Sequence, residues 1–323
     1  MWHGFRHVRR RSQKPKRNMA AHIEEQTITL AKPNLLEARG LMRHYGNVPA
    51  VDGVDLNVRS GEIYGFLGIN GAGKTTTIRI LMGIIAAESG SMRLLGETKR
   101  RTTIKQKRQI GYVSQGQNFY PWMTCRGLGR FVGSFYPTWD GQEFRRLLAL
   151  FEIPETRRVS QLSGGMKAKL ALAMAIAPRP EFLILDEPTA GLDPVARRDF
   201  MEIIVAQARQ HRRTTFFSSH LIDEVERCAD RIGIIHQGRM KFEGELSDLR
   251  TQIKRVTYLD QPTELPNSFE LWNERIVESK VSRVYRATAD QWSQIALSNV
   301  DIAGSLSLEE IFIACVGTKR VAI

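Results

Sequence analysis

Short apolar runs alternate with amphipathic runs through the middle of this chain. Four apolar runs are each followed by glycine or polar residues, and they lie within residues 62–67, 110–115, 181–188 and 214–220. Runs of this length are typical of strands buried in an open α/β sheet. Apolar positions at helical spacing follow at residues 75–82 and 167–177. The pattern therefore predicts an α/β domain in which strands and helices alternate.

Two regions of different pattern surround these strands. Strand-like alternation marks residues 26–30, 35–45 and 49–58, which predicts a small β region. Residues 127–153 instead repeat apolar residues on one helical face before Pro154 breaks the pattern. The residues of that face are Phe144, Leu147, Leu148 and Phe151.

The end of the chain has strand and helix patterns but no motif that carries chemistry. Residues 232–235 and 240–243 predict a hairpin that closes the main domain. Beyond Ser247 we expect strands at 255–258 and 281–287 and helices at 289–298 and 308–315. The chain is thus expected to have a disordered basic tail (1–34), a main domain (35–245) and a small α+β accessory domain (246–323).

Positive charge is concentrated at the N-terminus. The 323 residues carry a formal net charge of +13, and seven basic residues with no acidic one precede Glu24. The tail lacks the apolar stretch of a secretory signal. Three interpretations remain open: a disordered arm that touches anionic lipid or nucleic acid, a targeting segment, or translated upstream sequence with the true start at Met19.

Apolar runs and cysteines exclude some classes of protein. The longest apolar run, residues 170–177, falls short of the roughly eighteen residues that span a bilayer. Cys125, Cys228 and Cys315 are far apart and lack metal-ligand spacing, which fits a reducing compartment better than a disulfide scaffold. We expect all three cysteines to be buried and inert.

A glycine-rich loop lies between the first buried strand and the first helix. Residues 68–75 fit the pattern G-x-x-x-x-G-K-[ST], which binds phosphate when it joins a strand to a helix N-terminus. Lys74 can reach the β- and γ-phosphates, and the Thr75 hydroxyl can ligate Mg²⁺. The expected nucleotide-binding residues of this loop are Gly68, Asn70, Gly71, Ala72, Gly73, Lys74, Thr75 and Thr76.

Polar residues end the other apolar runs, at the sheet edge where ligands bind in open α/β sheets. Asp186 is placed to hold Mg²⁺, and Glu187 is expected to be the general base for a water that attacks the γ-phosphate. Gln115 could point at a metal ion or a water. His220 could contact the γ-phosphate, although a hydrogen-bonded structural histidine explains its position equally well.

Three further features have two explanations each. Ser163, with Gly164 and Gly165 after it, is either the N-cap of a helix or part of a second phosphate-facing loop. Tyr45 either stacks on a nucleobase or ends a strand before a turn. The aromatic segment 116–123, with Phe119, Tyr120 and Trp122, is either an exposed docking surface or a loop folded back on the core.

In order and spacing, these motifs resemble the nucleotide-binding subunit of ATP-binding cassette (ABC) transporters over residues 35–245. Ser163 follows Lys74 by 89 residues and precedes Asp186 by 23. In family terms the matches are Tyr45 (adenine stacking), 68–76 (Walker A), Gln115 (Q-loop), 162–166 (signature), 185–187 (Walker B and the catalytic carboxylate), 190–193 ending at Asp193 (D-loop) and His220 (switch histidine).

The resemblance implies a P-loop NTPase core with an antiparallel β subdomain and a helical subdomain, and an ATPase that uses ATP and Mg²⁺. The implied catalytic residues are Lys74, Gln115, Glu187 and His220, and the implied metal-binding residues are Thr75, Gln115 and Asp186. Two cassettes are implied to pack head to tail, so that one copy completes the ATP site of the other through Ser163, Gly164, Gly165 and Asp193.

The resemblance also implies partners and a location. Separation of the cassettes after hydrolysis would move separate permease subunits through the groove beside Gln115, which places the chain at the cytoplasmic face of a membrane. The length and the accessory domain resemble the exporter type that pairs with ABC-2 permeases. Met166 stands where the family signature usually has glutamine. Because Ser163 and the glycine amides remain, the composite site should survive this change.

Two rival functions are weaker. A soluble ABC ATPase that acts on DNA or ribosomes is favoured only by the basic tail. Ser163 follows Gln115 by only 48 positions, which leaves no room for the long coiled coil of chromosome-handling relatives. Ribosome-acting relatives carry two cassettes in one chain, whereas this chain has one motif set. A non-hydrolysing regulatory cassette is opposed by the joint presence of Lys74, Asp186, Glu187 and His220.

Overall fold

The computed structural model describes residues 33–98, 101–277, 280–295, 300–303 and 305–317. The basic tail up to residue 32, with the strand predicted at 26–30, lies outside the described residues. From Pro33 onward the chain forms one compact unit.

An antiparallel sheet and the glycine-rich loop form the first part of this unit. The elements are β1 (Asn34–Tyr45), β2 (Val48–Arg59), β3 (Ile63–Leu67), α1 (Lys74–Leu81), β4 (Ser89–Leu94) and β5 (Glu97–Thr98). Strands β2, β1, β4 and β5 pair in that order, and every pairing is antiparallel. This sheet confirms the antiparallel β subdomain that the family resemblance implies.

A helical segment follows, and it is more broken than its sequence pattern suggests. The elements are α2 (Ile104–Lys107), β6 (Ile110–Val113), α3 (Cys125–Gly133), α4 (Gly141–Leu150) and α5 (Gly164–Ile176). The pattern at 127–153 is two helices because Asp140 caps α4, its carboxylate accepting hydrogen bonds from the N–H groups of Gln142 and Glu143. Trp139, in the connection, packs on Phe144, with the ring centroids 5.2 Å apart.

The central sheet is assembled from strands that are distant in sequence. The remaining elements of this part are β7 (Phe182–Asp186), α6 (Pro194–His211), β8 (Thr214–Ser219), α7 (Ile222–Cys228), β9 (Arg231–His236) and β10 (Arg239–Glu245). The order is β10-β9-β3-β8-β7-β6, and all pairings are parallel except that of the hairpin β9–β10. Parallel pairing brings the carboxyl ends of β3, β6, β7 and β8 to one edge.

The chain ends in a second antiparallel sheet. Its elements are α8 (Leu246–Gln252), β11 (Ile253–Tyr258), β12 (Glu270–Val277), β13 (Lys280–Arg286), α9 (Ala289–Gln294), β14 (Val300–Ala303) and α10 (Leu308–Val316). The strand order is β12-β13-β11-β14. Strands β12 and β14 are absent from the sequence-based prediction.

One apolar core runs from the cassette into this second sheet. Leu308 and Ile311 of α10 belong to the same buried cluster as Val225 of α7 and Ile234 of β9. A separate cluster around Val256 and Tyr258 fills the other face of the second sheet. Burial of α10 against the cassette therefore joins the accessory part to the main domain.

Candidate functional site

The glycine-rich loop turns from the buried strand β3 into α1, as its pattern predicts. Gly73 precedes α1 with a φ of 111°, and a Cβ at this position would lie 2.4 Å from the carbonyl oxygen of Ala50. Only glycine fits that close approach. Asn70 and Gly71 are exposed at the loop tip, Gly68 and Ala72 are buried beneath it, and Thr76 is half-buried in the first turn of the helix.

Lys74 is buried inside this loop, with 4% of its side chain exposed. Its ammonium donates hydrogen bonds to the carbonyl oxygens of Gly68, at 2.8 Å, and Ile69, at 3.1 Å. It also lies 2.9 Å from Glu187 Oε1. The three donors of the ammonium are therefore all engaged, and Glu187 supplies its counter-charge.

Asp186 ends β7 and is buried beside α1. Its Oδ1 accepts hydrogen bonds from Thr75 Oγ1, at 3.1 Å, and from Ser218 Oγ, at 2.9 Å. Burial raises the pKa of Asp186 above its ordinary value of 3.8, and the two hydroxyl donors offset part of that shift. A carboxylate next to a helix-start hydroxyl forms an oxygen donor set of the kind that Mg²⁺ prefers.

The polar residues that follow the other buried strands meet at the Glu187 carboxylate. Gln115 Nε2 donates to Glu187 Oε2 at 3.2 Å, and His220 Nδ1 lies 3.3 Å from the same oxygen. Glu187 has a φ of 45°, a conformation that costs a side-chain-bearing residue of order 1 kcal/mol or more. The structure thus brings together Lys74, Gln115, Glu187 and His220, which the sequence places in four separate motifs.

Ser218 is a site residue that the sequence analysis missed. Its hydroxyl donates to Asp186 and accepts a hydrogen bond from the Glu187 backbone N–H at 3.0 Å, so it holds both acidic residues. The available signal is the composition of β8, which changes from Phe216 and Phe217 to two buried serines before its end. A buried serine needs a polar partner, and the end of the neighbouring strand is the obvious place for it.

The remaining predicted residues lie outside this cluster. Ser163 is the N-cap of α5 and accepts a hydrogen bond from Met166 N at 3.2 Å. Asp193 caps α6 by accepting from the backbone N–H groups of Val195 and Ala196. Within the described chain, neither residue bonds to the Lys74–Glu187 group, and each caps its own helix.

Tyr45 and Gly164 face outward, whereas Gly165 is half-buried beside Leu192. Tyr45 is 48% exposed at the end of β1, and the Arg43 guanidinium lies 5.4 Å from its ring centroid. Gly164 is exposed, and a Cβ added to it would meet no atom within 4 Å. These surfaces are open to a ligand or to a second chain.

The aromatic segment is divided between core and surface. Phe119 is half-buried and packs against the core, which is the folded-back alternative for this residue. Tyr120 and Trp122 are 46% and 67% exposed. Phe131 of α3 and Phe135, just after that helix, extend the exposed row, with successive ring centroids 5.1–5.7 Å apart. A cavity of about 400 Å³ lies beside it, between the loop after β6 and helices α3 and α5.

The cysteines and the helices agree with most of the sequence-based expectations. Cys125 and Cys228 are buried and Cys315 is half-buried, and none is in a disulfide. Among the described helices, none is both long enough and apolar enough to cross a bilayer. Across all the residues that the structure describes, no group of three or more histidine, cysteine, aspartate and glutamate side chains is arranged to hold a metal ion.

Comparison with known proteins gives the family. Residues 51–190 match the sequence family described as ABC transporter. The bacitracin transport ATP-binding protein BcrA of Bacillus licheniformis is 31% identical over 298 residues, 88% of this chain and 97% of that protein. The Nod factor export ATP-binding protein I of Paraburkholderia xenovorans is 39% identical over 223 residues, 66% of this chain and 72% of that protein.

Solved structures agree. An ATP-binding subunit of an ABC transporter is 28% identical, with a TM-score of 0.59 over 67% of this chain and 91% of that one. The cassette MJ0796, 23% identical with a TM-score of 0.60 over 65% of this chain and 98% of its own, has the same fold. The chain therefore belongs to the family of ABC transporter ATP-binding proteins and is an ATPase built on the P-loop NTPase fold.

Proposed function

We propose that this chain powers an exporter by binding ATP between two cassettes and hydrolysing it with Glu187 as the general base. The observation that carries the proposal is the convergence of Lys74, Gln115 and His220 on the Glu187 carboxylate. The export role is supported by relatives whose names include bacitracin transport and Nod factor export.

ATP must first displace the ion pair between Lys74 and Glu187. Phosphate oxygens would take the ammonium hydrogen bonds, since Lys74 lies inside the loop that cradles them. Glu187 then loses its buried counter-charge and is free to accept a proton. The Lys74–Glu187 ion pair gives the buried carboxylate a counter-charge, and phosphate binding would release the base.

Hydrolysis then follows as an in-line displacement. A water between Glu187 and the γ-phosphate gives its proton to the carboxylate while its oxygen attacks phosphorus, and the bond to the bridging oxygen of ADP breaks. His220 would orient the water and the γ-phosphate from its position beside Glu187. Gln115 would transmit changes at the nucleotide site to the cavity beside the aromatic row, because it bonds to the Glu187 carboxylate and lies on the loop that lines this cavity.

The residues Thr75, Asp186 and Gln115 would hold Mg²⁺. When bound, the ion neutralises charge on the β- and γ-phosphates. Asp186 is suited to this because its buried carboxylate already accepts the Thr75 hydroxyl. Ser218 would keep Asp186 and the Glu187 backbone in fixed relation.

A second cassette would complete each nucleotide site. Ser163, Gly164 and Gly165 would present a helix start to the γ-phosphate bound by the partner, and Asp193 would lie near the same interface. The nucleobase would stack on Tyr45. Exposure of these positions fits such a role, and MJ0796 has been solved as a dimer.

A separate permease would dock on the exposed aromatic row formed by Tyr120, Trp122, Phe131 and Phe135. A contiguous exposed apolar patch beside a cavity is typical of an interaction surface. Tyr120 and Trp122 lie on the loop that follows Gln115, so movement there would be linked to the nucleotide site. The chain would work at the cytoplasmic face of the membrane, and residues 246–323 would form an accessory domain after a cassette at 35–245.

Replacement of Glu187 by glutamine tests the catalytic proposal. Because the amide cannot accept the proton, Glu187→Gln should bind ATP yet hydrolyse it at least ~10²-fold more slowly. ATP and Mg²⁺ should then trap a dimer that size-exclusion chromatography with light scattering detects. Glu62→Gln is the matched control. Glu62 is also a buried glutamate, but it lies just before β3, at the end of that strand away from the glycine-rich loop. Turnover near the wild-type rate in Glu187→Gln would remove Glu187 from its role.

A further inference from the structure

The accessory sheet contains a cavity of about 450 Å³ on the face that α10 partly covers. Two cross-strand rows form its floor: Thr257, Ser282 and Arg275 in one, and Arg255, Val284 and Asn273 in the other. Residues paired across antiparallel strands project to the same face. The size is within the range of small-molecule sites, about 300–1,000 Å³.

The charge around this cavity is predominantly positive. Arg255, Arg275 and Lys280 line it, and Glu310 of α10 is the one acidic residue in the described lining. Glu310 pairs with Arg255, with the Nη1 and Oε1 atoms 3.1 Å apart. Within the described residues, no carboxylate forms an ion pair with Arg275 or Lys280. Both side chains are exposed, so their positive charges are available to an anion.

Asn273 adds an unsatisfied donor to the same wall. Its side chain is 3% exposed, and Nδ2 has no hydrogen-bond partner. A buried amide donor without a partner is unfavourable, and such groups in folded proteins call for an explanation. An acceptor oxygen of a ligand in the cavity would remove this deficit. The hydroxyls of Thr257 and Ser282, whose oxygens are 3.4 Å apart, offer further donors beside it.

The opposite wall is apolar. It is formed by Ile313 and Ala314 of α10, and Val284 adds an apolar side chain to the floor. One ligand could therefore place an anionic group near Arg275 and Lys280 and an apolar group under α10. This combination of a few polar groups with an apolar surface is typical of ligand sites.

We propose that this cavity binds a small organic anion, a carboxylate or a phosphate monoester with a short apolar body. The site is separate from the nucleotide-binding loop and from the exposed aromatic row. It does not depend on the proposed catalytic roles.

Calorimetric titration of the full chain tests the proposal, with ADP and Mg²⁺ saturating the P-loop. The probes are phenylacetate, phenyl phosphate and the neutral phenylacetamide. At least one anion should bind, and about tenfold or more tightly than the amide, because a hydrogen bond to a charged group is lost with the charge. The stronger of the two anions identifies the head group. Absence of binding by both anions, or equal binding of the amide, would refute the site.

Variants locate the binding. Arg275→Gln combined with Lys280→Gln should weaken the anion about tenfold or more, whereas Lys254→Gln should leave it unchanged. Lys254 is a fair control because it is on the same sheet but contacts Trp292 on the other face. Asn273→Leu should abolish binding without lowering the melting temperature, since it removes an unpaired buried donor and keeps the number and branching of the side-chain heavy atoms. Retained ATPase activity shows that each variant is folded, and retained anion binding in the double variant would overturn the proposal.

Discussion

Glu187 has a left-handed backbone conformation, and its carboxylate forms an ion pair with the buried side chain of Lys74. Together these two features fix the position of the carboxylate in the nucleotide site. The sequence identifies it as an acid at a strand end. Its ion pair with Lys74 was not predicted, because which partner a buried charge selects depends on the crossover that places β7 near β3. Ser218 was missed for the same reason, since its two bonds are to residues 31 and 32 positions away.

Ser218 should matter for stability as well as turnover. Ser218→Ala leaves the buried Glu187 N–H without a partner and removes one of the two hydroxyl donors to Asp186 Oδ1, which should cost about 1–3 kcal/mol of unfolding free energy. Thr215→Val on the same strand is the control, since the Thr215 hydroxyl is buried without a partner and its loss should be neutral or stabilising. Urea denaturation measures both. Equal destabilisation by the two variants would contradict the bridging role.

Asp186 should make the nucleotide-free protein less stable as pH rises. Burial raises its pKa above the ordinary 3.8, so the folded state binds this proton more tightly than the unfolded chain. The stability that the protonated form provides is complete below the unfolded pKa and is lost as pH rises through the folded pKa. Asp186→Asn should therefore melt at the same or a higher temperature than wild type near neutral pH, and this advantage should shrink towards pH ~4. A melting-temperature series without nucleotide checks this, and a constant difference across that range would contradict it.

At the scale of elements, apolar periodicity predicted the buried strands of the central sheet and the helices α1, α5, α9 and α10, but it missed α6 and the strands that have a polar face. Strand β12 was missed because a register shift between Leu271 and Asn273 interrupts its alternation, and one of its faces lines the basic cavity. Residues 127–153 were predicted as one helical segment because the strong apolar face of α4 dominated the pattern. The N-cap at Asp140, where the second helix starts, is a signal from a single residue.

The loop after β6 and helix α3 should mediate membrane recovery. Tyr120→Ala combined with Trp122→Ala removes the two rings at one end of the exposed row, so the protein co-expressed with its permease should leave the membrane fraction while its basal ATPase activity remains. Ile104→Ala is the control, since Ile104 is 72% exposed on α2, outside this row. Sedimentation of membranes followed by immunoblotting measures the distribution. Unchanged recovery of the double variant would defeat the docking proposal.

At the scale of the whole molecule, the cassette and the accessory sheet share one core through α10. Cys228 of α7 and Cys315 of α10 both pack in or against that core. Burial raises the pKa of Cys228 to about 11 and that of Cys315 to about 12, so neither is a ready thiolate at neutral pH. Their reactivity can therefore report whether the two parts separate.

Thiol labelling should show one cooperative unit. With increasing urea, Cys228 and Cys315 should become reactive together with Cys125, whose thiol is buried in the helical subdomain. Mass spectrometry after pulsed alkylation resolves the three sites. Labelling of Cys315 at a urea concentration where Cys125 is still protected and ATP still binds would show that residues 246–323 unfold separately.

Residue types and their spacing were enough to identify the phosphate loop, the acidic strand end, the α/β class and the family, because each of these is a short segment whose chemistry is local. The three-dimensional arrangement alone shows the Lys74–Glu187 pair, the Ser218 bridge, the division of the aromatic segment and the basic cavity. These features depend on side chains from elements far apart in the chain, and strand order, register and packing decide which of them meet.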